Sequence, residues 1–288
     1  MTREYFSVQT ADKVLLNGLL LVPEDAQGVI QFNCGTATRK EYYLPFLEVL
    51  ARNQLACCLW DYRGNGGSQA ERLSAHEYRF HDYGTGDMPA IKDFLRLRFP
   101  GLPLVLIGHS SGGQQVGLVQ GLEDYSGMIA IAVSSGYSPN FPLNYRLKAR
   151  FFFEVFGPLS IALSGYVKSK PFGIMENLPR GVFQEWKDWC SEPDYLFSSR
   201  FLGNTIPRGS YHDMPFPIHV ITASDDEICT EANLRNFWKH VKSEHGISFD
   251  SVTPAELGLK RIQHFGLFHR RMESLYWNRI VEVIRSFL

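Results

Sequence analysis

Cysteine is scarce in this chain and does not occur in paired spacings. The 288 residues contain five cysteines, at positions 34, 57, 58, 190 and 229, and no two are arranged as C-x-x-C. An odd number without paired spacing argues against a disulfide framework and is typical of reduced thiols. The segment Met1–Tyr5 also lacks the basic and apolar regions of a signal peptide. We therefore expect a cytoplasmic protein.

An excess of charge of one sign is also absent. The chain has 29 basic and 30 acidic residues, a formal net charge of −1 and no long run of like charges. Nucleic-acid-binding proteins carry a basic patch or stripe, so we expect no nucleic-acid partner. The histidines do not follow a metal-ligand spacing such as H-E-x-x-H, and no third glycine completes G-x-G-x-x-G after Gly64 or Gly84. We expect neither a metal nor another cofactor.

Short apolar runs alternate with helix-like segments over the first half of the chain. Residues 4–22 predict a β-hairpin. Four further apolar runs are followed by segments with helical character or by a loop, and they lie at 29–32, 56–60, 104–107 and 128–133. Strands that alternate with helices predict βαβ units and a mostly parallel central sheet flanked by helices. The fold class predicted from this pattern is α/β.

The alternation breaks at about residues 137–213, which are rich in Phe, Trp, Tyr, Pro and Gly. It resumes with a predicted strand at 218–221, a helix that Thr230 caps and that runs through Val241, a strand at 247–252 and an amphipathic helix at 274–288. We therefore predict an α/β core made of residues 1–136 and 214–288. The intervening residues 137–213 are predicted to form an inserted helical cap or lid.

The pentapeptide Gly108–Gly112 reads G-H-S-S-G and connects a predicted strand to a helix-compatible segment. In this context G-x-S-x-G predicts a nucleophile elbow, a strained turn that exposes the central serine. Ser110 fits this register, whereas Ser111 would need a glycine at position 109. We therefore predict that Ser110 is a nucleophile.

Three further segments carry a resemblance to a known family. Asp61–Ser68 is similar to the D-x-R-G-x-G-x-S segment of serine α/β hydrolases, and its Asp61 and Arg63 are expected to hold the turn by local hydrogen bonds. The W-x-x-W-C segment from Trp186 to Cys190 and the histidine loop Ile262–Gly266 resemble a bacterial group of predicted α/β hydrolases, similar to serine esterases and serine aminopeptidases. Gln263 replaces the glycine of that loop. The resemblance implies an α/β-hydrolase fold with an inserted cap.

A serine nucleophile needs a base to accept its proton and an acid to orient that base. The family order of serine, acid and histidine implies Asp226 as the acid and His264 as the base. Asp226 begins a segment that resembles the family's D-x-I-V-P turn, although Thr230 stands where proline is common. Asp225 remains an alternative acid, and His269 an alternative base.

The resemblance also implies two oxyanion donors. One is the backbone N–H of Ser111, the residue after the nucleophile, and the other is that of Thr36 in the loop after the third strand. Cys34 lies in the same loop and could also be interpreted as a nucleophile, but it does not lie in a nucleophile elbow.

The apolar stretch 151–167 lies within the predicted cap. It is short for a bilayer span and is interrupted by Glu154 and Pro158, so we do not expect a membrane span. A lid over the serine, packing of cap on core, and contact with a membrane surface all remain open. As a lid it would favour an apolar acyl group.

These residues predict a hydrolase that cleaves a carboxylic ester of a small, apolar acyl substrate through an acyl-enzyme intermediate. The same machinery serves thioesterases, amidases or peptidases and acyltransferases. A ligand-binding receptor on this fold is a further alternative. The sequence does not indicate an oligomeric state.

Overall fold

An eight-stranded sheet runs through the centre of the molecule, which the computed structural model describes over residues 1–288. The spatial order is β1-β2-β4-β3-β5-β6-β7-β8. The strands are β1 Thr2–Gln9, β2 Leu15–Val22, β3 Gly28–Asn33, β4 Leu55–Trp60, β5 Leu104–His109, β6 Tyr125–Ile131, β7 Ile218–Ala223 and β8 Ile247–Val252. Strands β3 to β8 are mutually parallel, and β2 is antiparallel to both of its neighbours, β1 and β4. This topology confirms the predicted fold class.

The helices are α1 Leu44–Arg52, α2 Met88–Arg98, α3 Ser111–Gln114, α4 Leu143–Phe151, α5 Gly157–Ser164, α6 Arg180–Ser191, α7 Glu231–Trp238, α8 Gln263–Gly266 and α9 Asn278–Arg285. Helices α1 to α7 lie between successive parallel strands, as βαβ units require, and α8 and α9 follow the last strand. Three π turns precede α2, α5 and α9, and they span Tyr83–Asp87, Phe152–Phe156 and Glu273–Trp277. None of the helices is long and apolar enough to cross a bilayer.

The central strands are apolar along their whole length because helices cover both faces of the sheet. Every residue of β3, β4 and β5 is buried. Large side chains such as Phe32 and Trp60 are fully buried there. The five cysteines are also buried, and all are free thiols.

Two predicted helices are shorter than their sequence patterns indicate. The elbow helix α3 ends at Gln114, and a separate 3₁₀ turn covers Val116–Leu118. Helix α7 begins after Thr230, whose hydroxyl caps it by accepting from the N–H of Asn233, but it ends at Trp238 instead of Val241. Glycine at 112, 113 and 117 weakens the helix after the elbow, which accounts for the first difference.

The segment between β6 and β7 contributes no strand to the sheet. It contains α4, α5 and α6, and α4 continues through the π turn Phe152–Phe156 into α5. Near its end it is fastened to the core, since the hydroxyls of Tyr195 and Tyr211 donate to the side-chain and backbone oxygens of Gln114, at 3.0 and 2.9 Å. These contacts hold the segment above the end of β5.

Candidate active site

Ser110 lies at the carboxyl end of β5 in a strained turn. Its φ of 51° and ψ of −121° belong to a region that non-glycine residues rarely occupy. The turn also packs closely on β3, because a Cβ at Gly112 would stand 2.2 Å from the backbone oxygen of Asn33. Ser110 is therefore held in a conformation that leaves it partly exposed, while both of its neighbours are buried.

His264 and Asp226 are brought together from the loops that follow β8 and β7. His264 Nδ1 and Asp226 Oδ2 are 2.7 Å apart, and both side chains are buried. A carboxylate can only accept, so Nδ1 carries the hydrogen and Nε2 is left as an acceptor. The pair therefore has the tautomer that a general base for a hydroxyl requires.

The turn that follows Asp226 donates two backbone hydrogen bonds to its carboxylate. Its Oδ1 accepts from the N–H groups of Ile228 and Cys229, at 2.7 and 2.9 Å. Burial alone would raise the pKa of Asp226, but the charge of His264 and the hydrogen bonds to the carboxylate outweigh burial and lower the pKa below its ordinary value. The carboxylate is thus ionised at neutral pH.

Asp225 has a different set of partners. Its two oxygens accept from the N–H groups of Ile262 and Gln263, at 2.8 and 2.9 Å. Asp225 therefore contacts the backbone of the histidine loop, whereas the ring of His264 is hydrogen-bonded to Asp226. Gln263 adopts a positive φ of 60°, which explains why glycine suits this position.

The predicted oxyanion donors lie on the two loops around Ser110. Thr36 is partly exposed in the loop after β3, and its N–H donates to no other backbone group. Ser111 is the first residue of α3, so its N–H has no partner within the helix. The Ser111 N–H also donates to no other backbone group outside the helices and strands, so both predicted donors present an unpaired N–H.

A chain of hydrogen bonds that was not predicted from the sequence lies behind the site. The Nε2 atom of His109 lies 3.1 Å from the backbone oxygen of His264. Nε2 must donate to this carbonyl, so Nδ1 accepts from the Tyr43 hydroxyl at 2.8 Å. The same hydroxyl accepts from the N–H of Gly35 at 3.1 Å. No local sequence signal connects Tyr43 with these loops.

The environment keeps His109 neutral. Its side chain is fully buried, and burial together with the charge of nearby His264 lowers the pKa of His109 to about 3. A neutral ring is what the two hydrogen bonds require, since one ring nitrogen donates and the other accepts. His109 thus joins the loop of Thr36 to the loop of His264.

Ser110 and His264 open into one cavity of about 1120 Å³, which Thr36 also lines. Most of its remaining wall is apolar and comes from the segment between β6 and β7. The principal apolar lining residues are Phe141, Tyr145, Ala149, Phe152, Phe153, Ile174, Met175, Trp186, Ile228 and Phe265. The described hydrogen bonds of the His264 ring are confined to Asp226, and unliganded sites commonly form the contact from serine to histidine only with substrate.

The alternative base, His269, lies outside this arrangement. Its side chain is exposed and its ring stands against Tyr42. Asp61 accepts a local hydrogen bond from the N–H of Gly67 at 2.9 Å within the turn after β4, and it also accepts from Lys40. Arg63 donates to Asp87, which is distant along the chain, so the turn is held by both local and tertiary contacts.

The sequence matches one protein-family model. The match is to the family described as serine aminopeptidase, S33, and it covers residues 24–172, more than half of the chain. The chain belongs to this family. It is thus a serine α/β hydrolase by descent, as the sequence motifs predicted. No curated protein has significant sequence similarity to this chain.

Solved structures share the fold of this S33 family member. The Pyrococcus furiosus esterase Pf2001 has 16% sequence identity and a TM-score of 0.62, with 99% of this chain and 92% of that chain covered. A highly thermostable carboxyl esterase from Bacillus coagulans has 13% identity and a TM-score of 0.62, with 100% and 99% covered. A protein of unknown function from Staphylococcus aureus has 14% identity and a TM-score of 0.65, with 99% of each chain covered.

Proposed function

We propose that this protein is a serine hydrolase that cleaves a carboxylic ester through an acyl-enzyme intermediate. The observation that carries the proposal is the 2.7 Å hydrogen bond between His264 and Asp226 on the cavity that also exposes Ser110. This set of residues supplies a nucleophile, a base with a free acceptor nitrogen and an ionised carboxylate to orient it.

In the first step, Ser110 Oγ attacks the ester carbonyl while His264 Nε2 accepts its proton. The carbonyl oxygen becomes an oxyanion, and the N–H groups of Thr36 and Ser111 donate to it. Asp226 stabilises the charged imidazolium but keeps its own ionised form. When the tetrahedral intermediate collapses, His264 returns the proton to the leaving alcohol, and the acyl group remains on Ser110.

In the second step, water takes the place of the alcohol. His264 accepts a proton from the water as its oxygen attacks the acyl carbon, and the proton then passes to Ser110 Oγ as the carboxylic acid leaves. These steps use no cofactor, because Ser110 supplies the nucleophile, His264 moves the protons and backbone N–H groups stabilise the oxyanion.

The cap is proposed to be residues 137–213, with the core made of 1–136 and 214–288. The apolar wall that this segment contributes favours an acyl group with hydrocarbon or aromatic character. By excluding water, the same wall strengthens the electrostatic contacts around the reacting carbonyl.

The family description raises an aminopeptidase as the second candidate. An aminopeptidase must bind a substrate ammonium group, and Glu41 and Glu176 are the acidic residues that line the cavity. Glu41 is already paired with Arg39 and Lys40, and Glu176 with Lys170. Because these cations neutralise both carboxylates, we favour a neutral acyl ester over a peptide with a free amino terminus.

The proposal is tested with p-nitrophenyl esters of increasing acyl length beside an aminoacyl p-nitroanilide. We expect multiple turnovers of the esters and much slower release from the anilide. Stoichiometric release from the esters would indicate a receptor, and preferential release from the anilide would favour the peptidase.

Matched serine variants test the nucleophile. Ser110→Ala is expected to abolish both turnover and labelling by a fluorophosphonate, and Ser111→Ala to retain labelling because Ser111 donates through its backbone. The opposite pattern would move the nucleophile to Ser111.

A further inference from the structure

Six large apolar side chains stand exposed along one helical run outside the cavity. The run from Leu143 to Ser164 consists of α4, the π turn Phe152–Phe156 and α5. Its outward apolar residues recur at every fourth position, and each is at least half exposed: Leu143, Leu147, Phe151, Val155, Leu159 and Leu163. We call these six residues the outer apolar face.

A surface helix of a globular protein ordinarily turns polar residues to solvent. Three other apolar residues of the same run, Ala149, Phe152 and Phe153, line the cavity. Packing of the cap therefore accounts for the inner residues and leaves the outer ones without a partner. A contiguous exposed apolar patch of this kind marks an interaction surface.

Basic side chains border the outer apolar face. Between positions 143 and 176 the five basic residues are Arg146, Lys148, Arg150, Lys168 and Lys170. The acidic residues in this range are Glu154 and Glu176, which are paired with Lys187 and Lys170. The segment is thus basic, although the whole chain carries a formal net charge of −1.

The apolar patch is continuous with the rim of the cavity. The ring of exposed Phe172 stands 5.5 Å from that of Phe156, and Ile174 is both exposed and part of the cavity wall. Lys148 and Lys170 are likewise exposed and line the cavity. A partner that covers the outer apolar face would therefore also meet the cavity entrance.

We propose that the outer apolar face and its basic border bind the surface of an anionic phospholipid bilayer. Leucine and phenylalanine side chains enter the boundary between headgroups and acyl chains, and arginine and lysine contact anionic headgroups. A second copy of the chain is a poorer partner, because it would place one basic border against another. Docking would turn the cavity rim toward a phase in which apolar esters concentrate.

The proposal rests on residues outside the catalytic set, so binding can be measured without ester cleavage. Ser110→Ala protein is sedimented with vesicles of phosphatidylcholine alone or with phosphatidylglycerol added. We expect at least tenfold stronger binding to the anionic vesicles at low salt, and weaker binding in 0.5 M NaCl because salt screens the charges, with a Debye length of roughly 3–10 Å.

Three variants separate the two contributions. Leu159→Ser with Leu163→Ser is expected to reduce binding to anionic vesicles at least tenfold. Arg146→Gln with Arg150→Gln should reduce it about 10- to 30-fold, because each basic residue near an anionic surface contributes about 1 kcal/mol. Leu97→Ser is the matched control, since Leu97 is 85% exposed on α2, and it should bind as the parent does.

These variants are also made with Ser110 present. None of the substituted residues lines the catalytic cavity, so turnover of a short soluble ester should match the parent and verify folding. Equal binding to neutral and anionic vesicles, or equal loss in the Leu97→Ser control, would overturn the proposal. So would light scattering that shows a dimer which Leu159→Ser with Leu163→Ser converts to a monomer.

Discussion

The Nε2 atom of His109 donates a hydrogen bond to the backbone oxygen of His264 across 3.1 Å. The residue beside the proposed nucleophile thereby holds the loop of the proposed base. The other nitrogen of the same ring contacts Tyr43, which in turn contacts Gly35 next to the proposed oxyanion donor Thr36. The relative position of three loops thus depends on one neutral imidazole.

His109→Phe is expected to lower kcat about 10- to 100-fold with a smaller effect on KM, because a ring of similar size fills the space but neither hydrogen bond forms. Initial rates on a short p-nitrophenyl ester measure the effect. His269→Phe is the matched control, since His269 is exposed, and it should retain nearly full activity. Equal activity of His109→Phe and the parent would show that the chain of bonds does not position the site.

The stability of the protein should fall as the pH is lowered from 7.5 to 5. His109 has a pKa of about 3 in the folded state, whereas an unfolded histidine titrates near 6.5. Between these values the unfolded chain binds more protons, so unfolding becomes easier as pH falls. For a shift of this direction, the contribution at pH 5 is up to about 2 kcal/mol.

Urea denaturation at the two pH values measures this dependence. His109→Phe removes the titrating group, so its free energy of unfolding should change less between pH 7.5 and 5 than that of the parent. An identical pH dependence in both proteins would assign the effect to other groups.

Asp226→Asn is expected to lower kcat by roughly 10³- to 10⁴-fold, since the asparagine side chain no longer orients the imidazole as a base. Asp225→Asn should cost less than about tenfold in kcat, because Asp225 bonds only to backbone N–H groups of the histidine loop. It should instead lower the free energy of unfolding by about 1–2 kcal/mol. Steady-state kinetics and urea denaturation of the pair distinguish these roles, and the reverse kinetic ranking would make Asp225 the acid.

Gln263→Gly should raise the free energy of unfolding by up to about 1 kcal/mol with activity retained. Gln263 has a φ of 60°, a conformation that glycine adopts without the steric penalty of a side chain. Its N–H can still donate to Asp225. The matched control is Gln69→Gly, at an exposed residue with φ of −76°, where glycine should destabilise. Similar losses in both variants would show that the loop is not strained at Gln263.

Sequence alone predicted the parts of this molecule that rest on local signals. Such signals include the strand before Ser110, the glycines around it and the apolar run of each parallel strand. Each depends on residues that are close in sequence, and together they predict the fold class. The position of His264 followed from family order, and the structure places its ring against Asp226. His264 and Asp226 lie in segments that follow each other in a fixed order along the chain, so a resemblance to the family predicts both positions.

Contacts between distant residues could not be predicted in the same way. Tyr43 and His109 are 66 residues apart and meet because Tyr43 lies in the turn between β3 and α1, and β3 pairs with β5. Similarly, the apolar sequence of residues 151–167 does not predict which side chains face the cavity and which face solvent. The sequence therefore leaves three interpretations of that stretch open.

The π turn Phe152–Phe156 fixes the rotational phase between α4 and α5. Each residue of an α-helix advances the chain by about 100° around the axis, and a π turn accommodates one additional residue within it. Deletion of a single residue here would restore a regular α-helix and leave α4 and α5 in the same relative orientation. Deletion of a residue within α4 or α5 would instead rotate the residues on one side of the deletion by about 100° relative to those on the other, so the π turn should tolerate the loss of one residue better than either helix does.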